Sequence, residues 1–215
     1  MKNKDKIILD LCGGTGSWSK PYKDAGYNVR LITLPEFSVS PQCWGIKDDN
    51  FYFFSQLAFA TEMIIPIRKV YGILAAPPCT MFSRARTTAK TPRDFQGALE
   101  VVRACLEIIW LARSAGSLKF WALENPMGLL RQFIGNPAYS FKGWEFGDNH
   151  VKFTDLWGYF NNPVKKRGTR APGFNRKNWA SPKKPKEFSH LKLDRAGIRA
   201  ITPKNFAKAF YKANK

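Results

Sequence analysis

Ile73-Leu74-Ala75-Ala76-Pro77-Pro78-Cys79-Thr80-Met81-Phe82-Ser83 is the stretch that decides the fold. Its apolar first part predicts a buried parallel strand, and the two prolines end that strand because they fix φ and donate no ladder hydrogen bond. In open α/β sheets, ligands bind at the carboxyl ends of the strands. The sequence therefore predicts that Cys79 lies on a stiff loop at a ligand-binding edge, with Arg84 and Arg86 close by in sequence.

A second stretch bears on the role of this cysteine. A free cysteine is most often an inert, buried apolar side chain, and that interpretation of Cys79 remains open. However, Trp121-Ala122-Leu123-Glu124-Asn125-Pro126 is again an apolar strand that ends in an acid and is stopped by proline. A thiol and a carboxyl at two strand ends predict a nucleophile–acid pair formed by Cys79 and Glu124.

A glycine-rich turn opens the chain. Residues 6–11 and 27–32 predict strands and residues 18–25 a helix, with Cys12-Gly13-Gly14-Thr15-Gly16-Ser17 between them. Glycines let the backbone approach a bound nucleotide, and the following helix offers free N–H groups. Because neither G-x-G-x-x-G nor a P-loop lysine is present, a nucleoside-bearing cofactor without a pyrophosphate is expected. S-adenosylmethionine is a cofactor of this kind, and Glu36, beyond the second strand, is a candidate to bind its ribose hydroxyls. The alternative is a tight turn that binds no ligand.

Alternating strands and helices to about residue 135 predict an α/β fold with a doubly wound, mostly parallel sheet. A helix is expected from Asp94 to residue 115, with Val102, Ile109 and Trp110 in the core. Residues 61–69 show no clear period, and a short helix that breaks at Pro66 is expected there. The predicted division is 1–135 for the cofactor-binding and catalytic core, 136–198 for a small aromatic and basic region, and 199–215 for a C-terminal helix that packs back on the core.

The charge of the chain points to a polyanionic partner. Thirty-five Lys and Arg residues against 16 Asp and Glu give a formal net charge of +19, and nucleic acid is the partner that such a charge favours. Basic residues interleaved with aromatics in 163–185 suit phosphates and bases, a solvated linker being the alternative. The residues expected to contact nucleic acid are Arg84, Arg86, Lys165, Lys166, Arg167, Arg170, Arg176 and Lys177.

Several classes are disfavoured. The four cysteines are widely spaced and form no C-x-x-C pair, which argues against a metal site and a disulfide framework. The sequence has neither a signal peptide nor an apolar run of about 18 residues, so no membrane partner is expected. A monomeric cytoplasmic protein with reduced thiols is the expectation.

Three blocks of the sequence, in this order, resemble the DNA (cytosine-5) methyltransferase family, and the tail resembles the closing segments of its compact, phage-type members. The block from Asp10 to Gly26 resembles the cofactor-binding opening of that family. Pro77-Pro78-Cys79 with Phe82-Ser83 resembles its catalytic loop, and Glu124-Asn125-Pro126 resembles its E-N-V motif. The family's Q-x-R-x-R has no clean match, and residues 152–157 lie about where it would fall.

The resemblance implies a Rossmann-like class I fold with a small basic C-terminal extension, in a bacterial host or phage-infected cell. It implies that S-adenosylmethionine donates a methyl group to carbon 5 of a flipped cytosine in DNA, RNA being the less favoured substrate. The residues that it implies for the cofactor are Asp10, Leu11, Cys12, Gly13, Gly14, Gly16 and Pro77. The residues that it implies for catalysis are Cys79, Glu124, Asn125 and Pro78.

The expected chemistry explains these residue types. A thiolate that adds to carbon 6 of cytosine makes carbon 5 nucleophilic, and a thiol with a pKa of about 8.5 needs help to ionise at neutral pH. Arg84, Arg86 or the overall positive field is expected to provide that help. A protonated Glu124 in an apolar site is expected to hydrogen-bond N3 of the base. A catalytically inactive or non-methylating nucleic-acid-binding protein on the same fold is the alternative function.

Overall fold

The computed structural model describes residues 2–57, 61–84, 86, 89–148, 152–166 and 184–215. The predicted nucleic-acid contacts Arg167, Arg170, Arg176 and Lys177 lie outside the described residues. The strands in the described ranges are β1 (Ile7–Leu11), β2 (Asn28–Ile32), β3 (Trp44–Lys47), β4 (Asn50–Phe54), β5 (Glu62–Pro66), β6 (Val70–Ala75), β7 (Phe120–Pro126), β8 (Tyr139–Lys142) and β9 (Phe153–Tyr159). The α-helices are α1 (Lys20–Asp24), α2 (Phe95–Ser114), α3 (Arg131–Ile134), α4 (Arg195–Ala200) and α5 (Lys204–Ala213).

Six strands form the central sheet in the order β2-β1-β6-β7-β9-β8. The first four are parallel, while β9 runs antiparallel between β7 and β8. Strands β3, β4 and β5 form a separate antiparallel sheet. The mixed α/β fold with a mostly parallel sheet is therefore confirmed, and it is compatible with a Rossmann-like fold. The stretch from Tyr139 to Tyr159 supplies two strands to the same sheet as residues 7–126.

Two apolar clusters cover the two faces of this sheet, so its inner strands are buried on both sides. On one face, α2 contributes Val102, Ile108 and other apolar residues to a cluster with β1, β6 and the β3–β5 sheet. On the other face, α1 and α5 pack together around Trp18, Phe206 and Phe210. The helices thus lie on both faces, as the alternation of strands and helices predicts.

Turns replace part of the helix expected at 18–25. Helix α1 is only the five residues Lys20–Asp24. Gly16 has φ 68° and its N–H donates to the carbonyl of Gly13, which holds the preceding residues in a turn. So short a helix has little dipole with which to attract a ligand.

Long-range pairing changes two further elements. The helix expected at 61–69 is wrong, because Glu62–Pro66 forms strand β5 against β4. Strand β7 was expected to end at Glu124 because Pro126 stops it, but it continues to Pro126 because β9 pairs with it. Both partners are antiparallel neighbours that the local sequence does not reveal.

The surface of α2 also differs from the expectation. Trp110 was assigned to the core, but its side chain is 64% exposed. The buried residues of α2 include Val102, Cys105 and Ile109, whereas Trp110 lies on the helix face that carries the exposed Arg103 and Glu107. The helix expected near the end begins at Lys204 with Pro203 as its N-cap residue, and its Phe206 and Phe210 are buried. Across the described residues, no helix is both long and apolar enough to cross a membrane.

Candidate active site

Cys79 lies on a tightly folded loop after β6. Its carbonyl accepts hydrogen bonds from the N–H groups of Phe82 and Ser83, at 3.0 and 2.9 Å. The Phe82 side chain is fully buried and packs against Phe95 and Phe133, with ring centroids 6.2 and 6.0 Å apart. This aromatic anchor fixes the loop to the start of α2 and to α3.

Two further contacts hold the loop from behind. The Phe82 carbonyl accepts a 2.9 Å hydrogen bond from Leu129, and a Cβ at Gly128 would lie 2.3 Å from that carbonyl, so the close approach requires glycine. The Arg93 guanidinium donates to the carbonyls of Met81 and Ser83. Contacts from Gly128, Leu129 and Arg93 thus hold the loop in addition to the two prolines.

Asn125 joins the ends of the two central strands. Its side chain is fully buried, and Nδ2 donates to the Pro77 carbonyl at 3.1 Å. Its Oδ1 is buried and has no partner among the described residues, an arrangement that in a native protein calls for an explanation such as a ligand. Pro77 is buried, whereas Pro78 is exposed.

Lys152 lies against Glu124. Its Nζ is 3.2 Å from Glu124 Oε1, and both side chains are mostly buried. Strand β9 is antiparallel to β7, so its first residue, Phe153, lies at the carboxyl ends of the parallel strands. Lys152 directly precedes Phe153 and therefore lies at the same edge. The apolar surroundings expected for Glu124 are thus interrupted by an ammonium group.

The electrostatics of Cys79 come from residues other than those expected. Burial raises the pKa of the Cys79 thiol; the charge of Lys152 opposes this rise, Glu124 adds to it and Arg199 of α4 also opposes it. The net direction is upward. Glu124 and Lys152 therefore lie close enough to Cys79 to act on its charge.

Arg84 and Arg86 do not take the part expected of them. Arg84 is exposed, and the Arg86 guanidinium donates to the hydroxyl of Thr91 and the carbonyl of Pro92, at 2.8 and 3.2 Å. Neither is among the charges that shift the pKa of Cys79. The positive charges that lower the pKa of Cys79 belong to Lys152 and Arg199 instead.

The glycine-rich turn is built around a buried acid. Asp10 is fully buried in β1 and accepts a hydrogen bond from the Ser19 hydroxyl. Burial raises the pKa of Asp10 to about 7, although hydrogen bonding to Ser19 opposes the rise. A Cβ at Gly13 would lie 2.3 Å from the Asp10 carboxyl, so only glycine allows the chain to pass this close.

The other residues of the turn divide between the core and the open edge. Leu11 is buried, and the Cys12 thiol hydrogen-bonds that of Cys105 on α2; this contact and burial raise the pKa of Cys105. Gly14 has φ 56°, donates to the Thr33 hydroxyl at 3.1 Å, and has no atom within 4 Å of the place where a Cβ would stand. The side chain of Cys12 therefore faces the core, while the backbone at Gly14 is open.

The residues at this edge fit a nucleoside-bearing cofactor. Three buried oxygens there have no partner among the described residues: Asp10 Oδ1, Thr15 Oγ1 and Asn125 Oδ1. Glu36 is exposed on the loop after β2, and its backbone carbonyl is held by the Gln56 N–H at 2.7 Å. An open backbone turn with unpaired acceptors and a nearby exposed acid suits the hydroxyl and amino groups of a nucleoside.

Lys165 and Lys166, the two described lysines among the predicted nucleic-acid contacts, contact the protein itself. Lys165 forms a 3.0 Å ion pair with Glu145 and lies 5.3 Å from the centre of the Tyr139 ring. The Lys166 N–H donates to the Glu145 carbonyl at 2.9 Å. These contacts place both residues beside β8.

Sequence reasoning missed three basic residues of the site. Lys152 had a signal, because it lies where the Q-x-R-x-R motif of the similar family would fall. Arg199 begins the tail that resembles the closing segments of that family, but its effect on Cys79 depends on how α4 packs. Arg93 had no signal, since its contacts with the Cys79 loop depend on how the start of α2 packs.

The fold and the site together define a mixed α/β protein with a thiol, a carboxylate and an ammonium group beside an open glycine-rich turn. The described part of the chain contains no cluster of three or more side chains suited to a metal ion. No protein-family model matches the sequence, and comparison with curated proteins gives no match.

Proposed function

We propose that the chain is an S-adenosylmethionine-dependent DNA (cytosine-5) methyltransferase with a class I, Rossmann-like fold. The observation that carries this proposal is the placement of Cys79 on a clamped loop, within electrostatic reach of Glu124 and Lys152 at the next strand end. A nucleophile and a paired acid at one edge are what covalent addition to a pyrimidine requires.

The reaction begins at Cys79. Its thiolate adds to carbon 6 of cytosine, and the electron pair of the 5,6 double bond moves toward carbon 5 and N3. Carbon 5 then takes the methyl group as the C–S bond of the sulfonium donor breaks and a neutral thioether leaves. Carbon 5 next loses its proton to solvent water, and the Cys79 thiolate is expelled as the double bond reforms. Lys152 stabilises both the thiolate and the negative charge on the ring, while Glu124 binds the N3 side of the base.

Residues of the glycine-rich turn would hold the cofactor. The backbone of residues 12–16 and the Glu36 carboxyl would bind its nucleoside part, and Pro77 would border it. S-adenosylmethionine, when bound, supplies the electrophilic methyl group. Asn125 keeps the Cys79 loop at a fixed distance from β7 through its bond to the Pro77 carbonyl, so the thiol stays aligned with the base.

Methyl transfer from labelled S-adenosylmethionine to DNA, followed by nucleoside analysis, tests the proposal. The wild-type protein should form 5-methylcytosine, and the Cys79→Ala variant should form none while still binding DNA. Transfer by Cys79→Ala, or a product other than 5-methylcytosine, would refute the assignment of Cys79.

A non-methylating nucleic-acid-binding protein on the same fold is the second candidate. The observation in its favour is that burial raises the pKa of Cys79, which makes the resting thiol less reactive. In that case neither DNA nor RNA would be methylated, whereas salt-sensitive binding by the wild type and by Cys79→Ala would be equal.

A further inference from the structure

A basic aromatic patch lies at the same edge of the sheet as the candidate active site. It consists of Lys142 at the end of β8, Trp144 just after it, and Phe153 at the start of β9, and is called the edge platform here. We propose that the edge platform binds an unpaired nucleotide next to the target cytosine, so that the substrate is DNA whose target strand is single-stranded at this point. This inference rests on the proposed function.

The contacts within the platform are specific. Lys142 and Phe153 are cross-strand partners in the β8–β9 pair. The Lys142 ammonium lies 4.7 Å from the centre of the Phe153 ring and 5.3 Å from that of Trp144. Within the described residues, Lys142 forms no ion pair with an acid. Its charge is therefore held in place by two rings and is available to a phosphate.

Phe153 offers a surface on which a base can stack. Its side chain is 42% exposed although it begins a strand of the central sheet. Its backbone carbonyl accepts a 3.0 Å hydrogen bond from Met127, directly after the Glu124-Asn125-Pro126 segment. A fixed, exposed ring beside a held ammonium is the combination that single-strand binding sites use, because every base has a face that can stack.

The spacing matches a nucleotide that flanks the target. In the sheet, β9 lies two strands away from β6, whose end carries Cys79. With neighbouring strands about 4.8 Å apart, this separation is roughly 10 Å. Phe153 and Lys142 share this edge with Glu124 and Lys152 but project from the opposite face of the sheet, because side chains alternate along a strand. A nucleotide that passes over the edge beyond the target would meet them. Such a nucleotide can reach the ring only when it is unstacked, which a paired duplex does not allow without distortion.

The test uses single-stranded oligonucleotides of about 12 nucleotides, within the range that single-strand sites cover, each with one cytosine and 2-aminopurine beside it. Binding to the wild-type protein should change the 2-aminopurine fluorescence, and Phe153→Ala should abolish that change. Phe153→Ala should also raise the KM for methyl transfer about fivefold or more, with a smaller effect on kcat. Phe153→Trp should retain both properties, while Phe153→Leu keeps the apolar packing but should lose the fluorescence change.

The chain offers matched controls at the other end of the sheet. Tyr159 is also an exposed aromatic residue of β9, 70% exposed, and lies about 20 Å from Phe153 along the strand. Tyr159→Ala should leave fluorescence and KM as in the wild type. Lys142→Ala should lower the slope of log affinity against log salt by about 0.7, the value for one phosphate contact on a single strand. Lys119→Ala, exposed before β7, should not change it.

The outcomes separate the platform from the proposed function. If the protein methylates DNA, but Phe153→Ala and Tyr159→Ala behave alike, the platform proposal is overturned and the function stands. If no DNA is methylated while the fluorescence change still depends on Phe153, the proposed function fails and the platform stands. Equal or tighter binding of the matched duplex, with no effect of Phe153, would also overturn the single-stranded assignment.

Discussion

At the scale of single residues, Lys152 decides the electrostatics of the site. Burial raises the pKa of Cys79, and the charge of Lys152 opposes this rise more than any other group does. Lys152 also forms an ion pair with Glu124. One side chain therefore acts on both Cys79 and Glu124. Cys79 and Glu124 could be predicted because each lies in a short linear motif, whereas Lys152 reaches them only through the antiparallel register of β9.

Removing this charge should make Cys79 less reactive. In Lys152→Ala the pKa of Cys79 should rise further, and alkylation by iodoacetamide at pH 7.5 should slow by up to about tenfold, the effect of one pKa unit. Mass spectrometry of the Cys79 peptide measures this rate without relying on methyl transfer. Lys152→Arg should restore it, and Lys165→Ala, which removes the partner of Glu145, should not slow it. Equal rates for Lys152→Ala and wild type would show that Lys152 does not act on the thiol.

Asp10 should make stability depend on pH. Because its pKa is raised to about 7 in the folded protein, the folded state keeps a proton that the unfolded chain releases above about pH 4. Its contribution to stability is therefore present below pH 4 and is lost as the pH rises to about 7. Between pH 5.5 and 7.5 the wild type should lose about 2 kcal/mol of unfolding free energy relative to Asp10→Asn, measured in urea. Parallel pH profiles of the two proteins would contradict this expectation.

At the scale of elements, strand β9 connects the site to the rest of the sheet. Its Asp155 is fully buried, accepts two hydrogen bonds from Arg131 at 2.7 and 2.6 Å, and accepts a third from the Ser140 hydroxyl at 2.7 Å. Asp155 is also the strand partner of Asn125. This group of contacts holds α3, β8 and β9 together behind the Cys79 loop.

Breaking the buried ion pair should be costly. Arg131→Met leaves the Asp155 carboxylate buried without its counter-charge, and should lower the unfolding free energy by about 3–5 kcal/mol. The exposed pair of Lys20 and Asp24 on α1 is the control, since Lys20→Met should cost under about 1 kcal/mol. Urea unfolding followed by circular dichroism compares the two. A loss of similar size in both variants would show that Arg131 has no special role.

The elements differ in how well the sequence predicts them. β1, β2 and the long helix α2 follow from local signals: apolar runs, a glycine turn, and Asp94 as an N-cap whose side chain accepts from the Gly97 N–H. β5 and the end of β7 do not, because their partners are antiparallel strands set by long-range pairing. Trp110 directly follows the core residue Ile109, but it lies on the helix face of Arg103 and Glu107, which is exposed.

At the scale of the whole molecule, the charge of +19 should set the strength of the proposed DNA binding. A surface with this excess should neutralise several phosphates, so that affinity arises largely from the release of counterions. If six or more phosphates are contacted, raising the salt from 50 to 200 mM should weaken binding by about 10³-fold or more. Fluorescence anisotropy with Cys79→Ala measures this without turnover. An affinity independent of salt would show that the charge does not meet the phosphates.

The sequence predicts only part of the candidate site. The glycine-rich turn, Cys79 and Glu124 come to one edge because parallel strands end together, which the order of motifs predicts. The additional charges around Cys79 come from β9 and α4, so they require the complete fold.

The late position of α5 in the chain also determines when the protein can fold on the ribosome. Phe206 stacks on Phe141 of β8 with ring centroids 3.9 Å apart, and Phe210 packs on Trp18 beside the glycine-rich turn. β8 itself has no strand partner until β9 has been made, because β9 lies between it and β7. A nascent chain therefore cannot complete the apolar cluster around Trp18, Phe206 and Phe210 until residues 204–213 have left the exit tunnel. Chains that stop short of α5 would expose that cluster, so they would be targets for proteases and chaperones rather than partly active products.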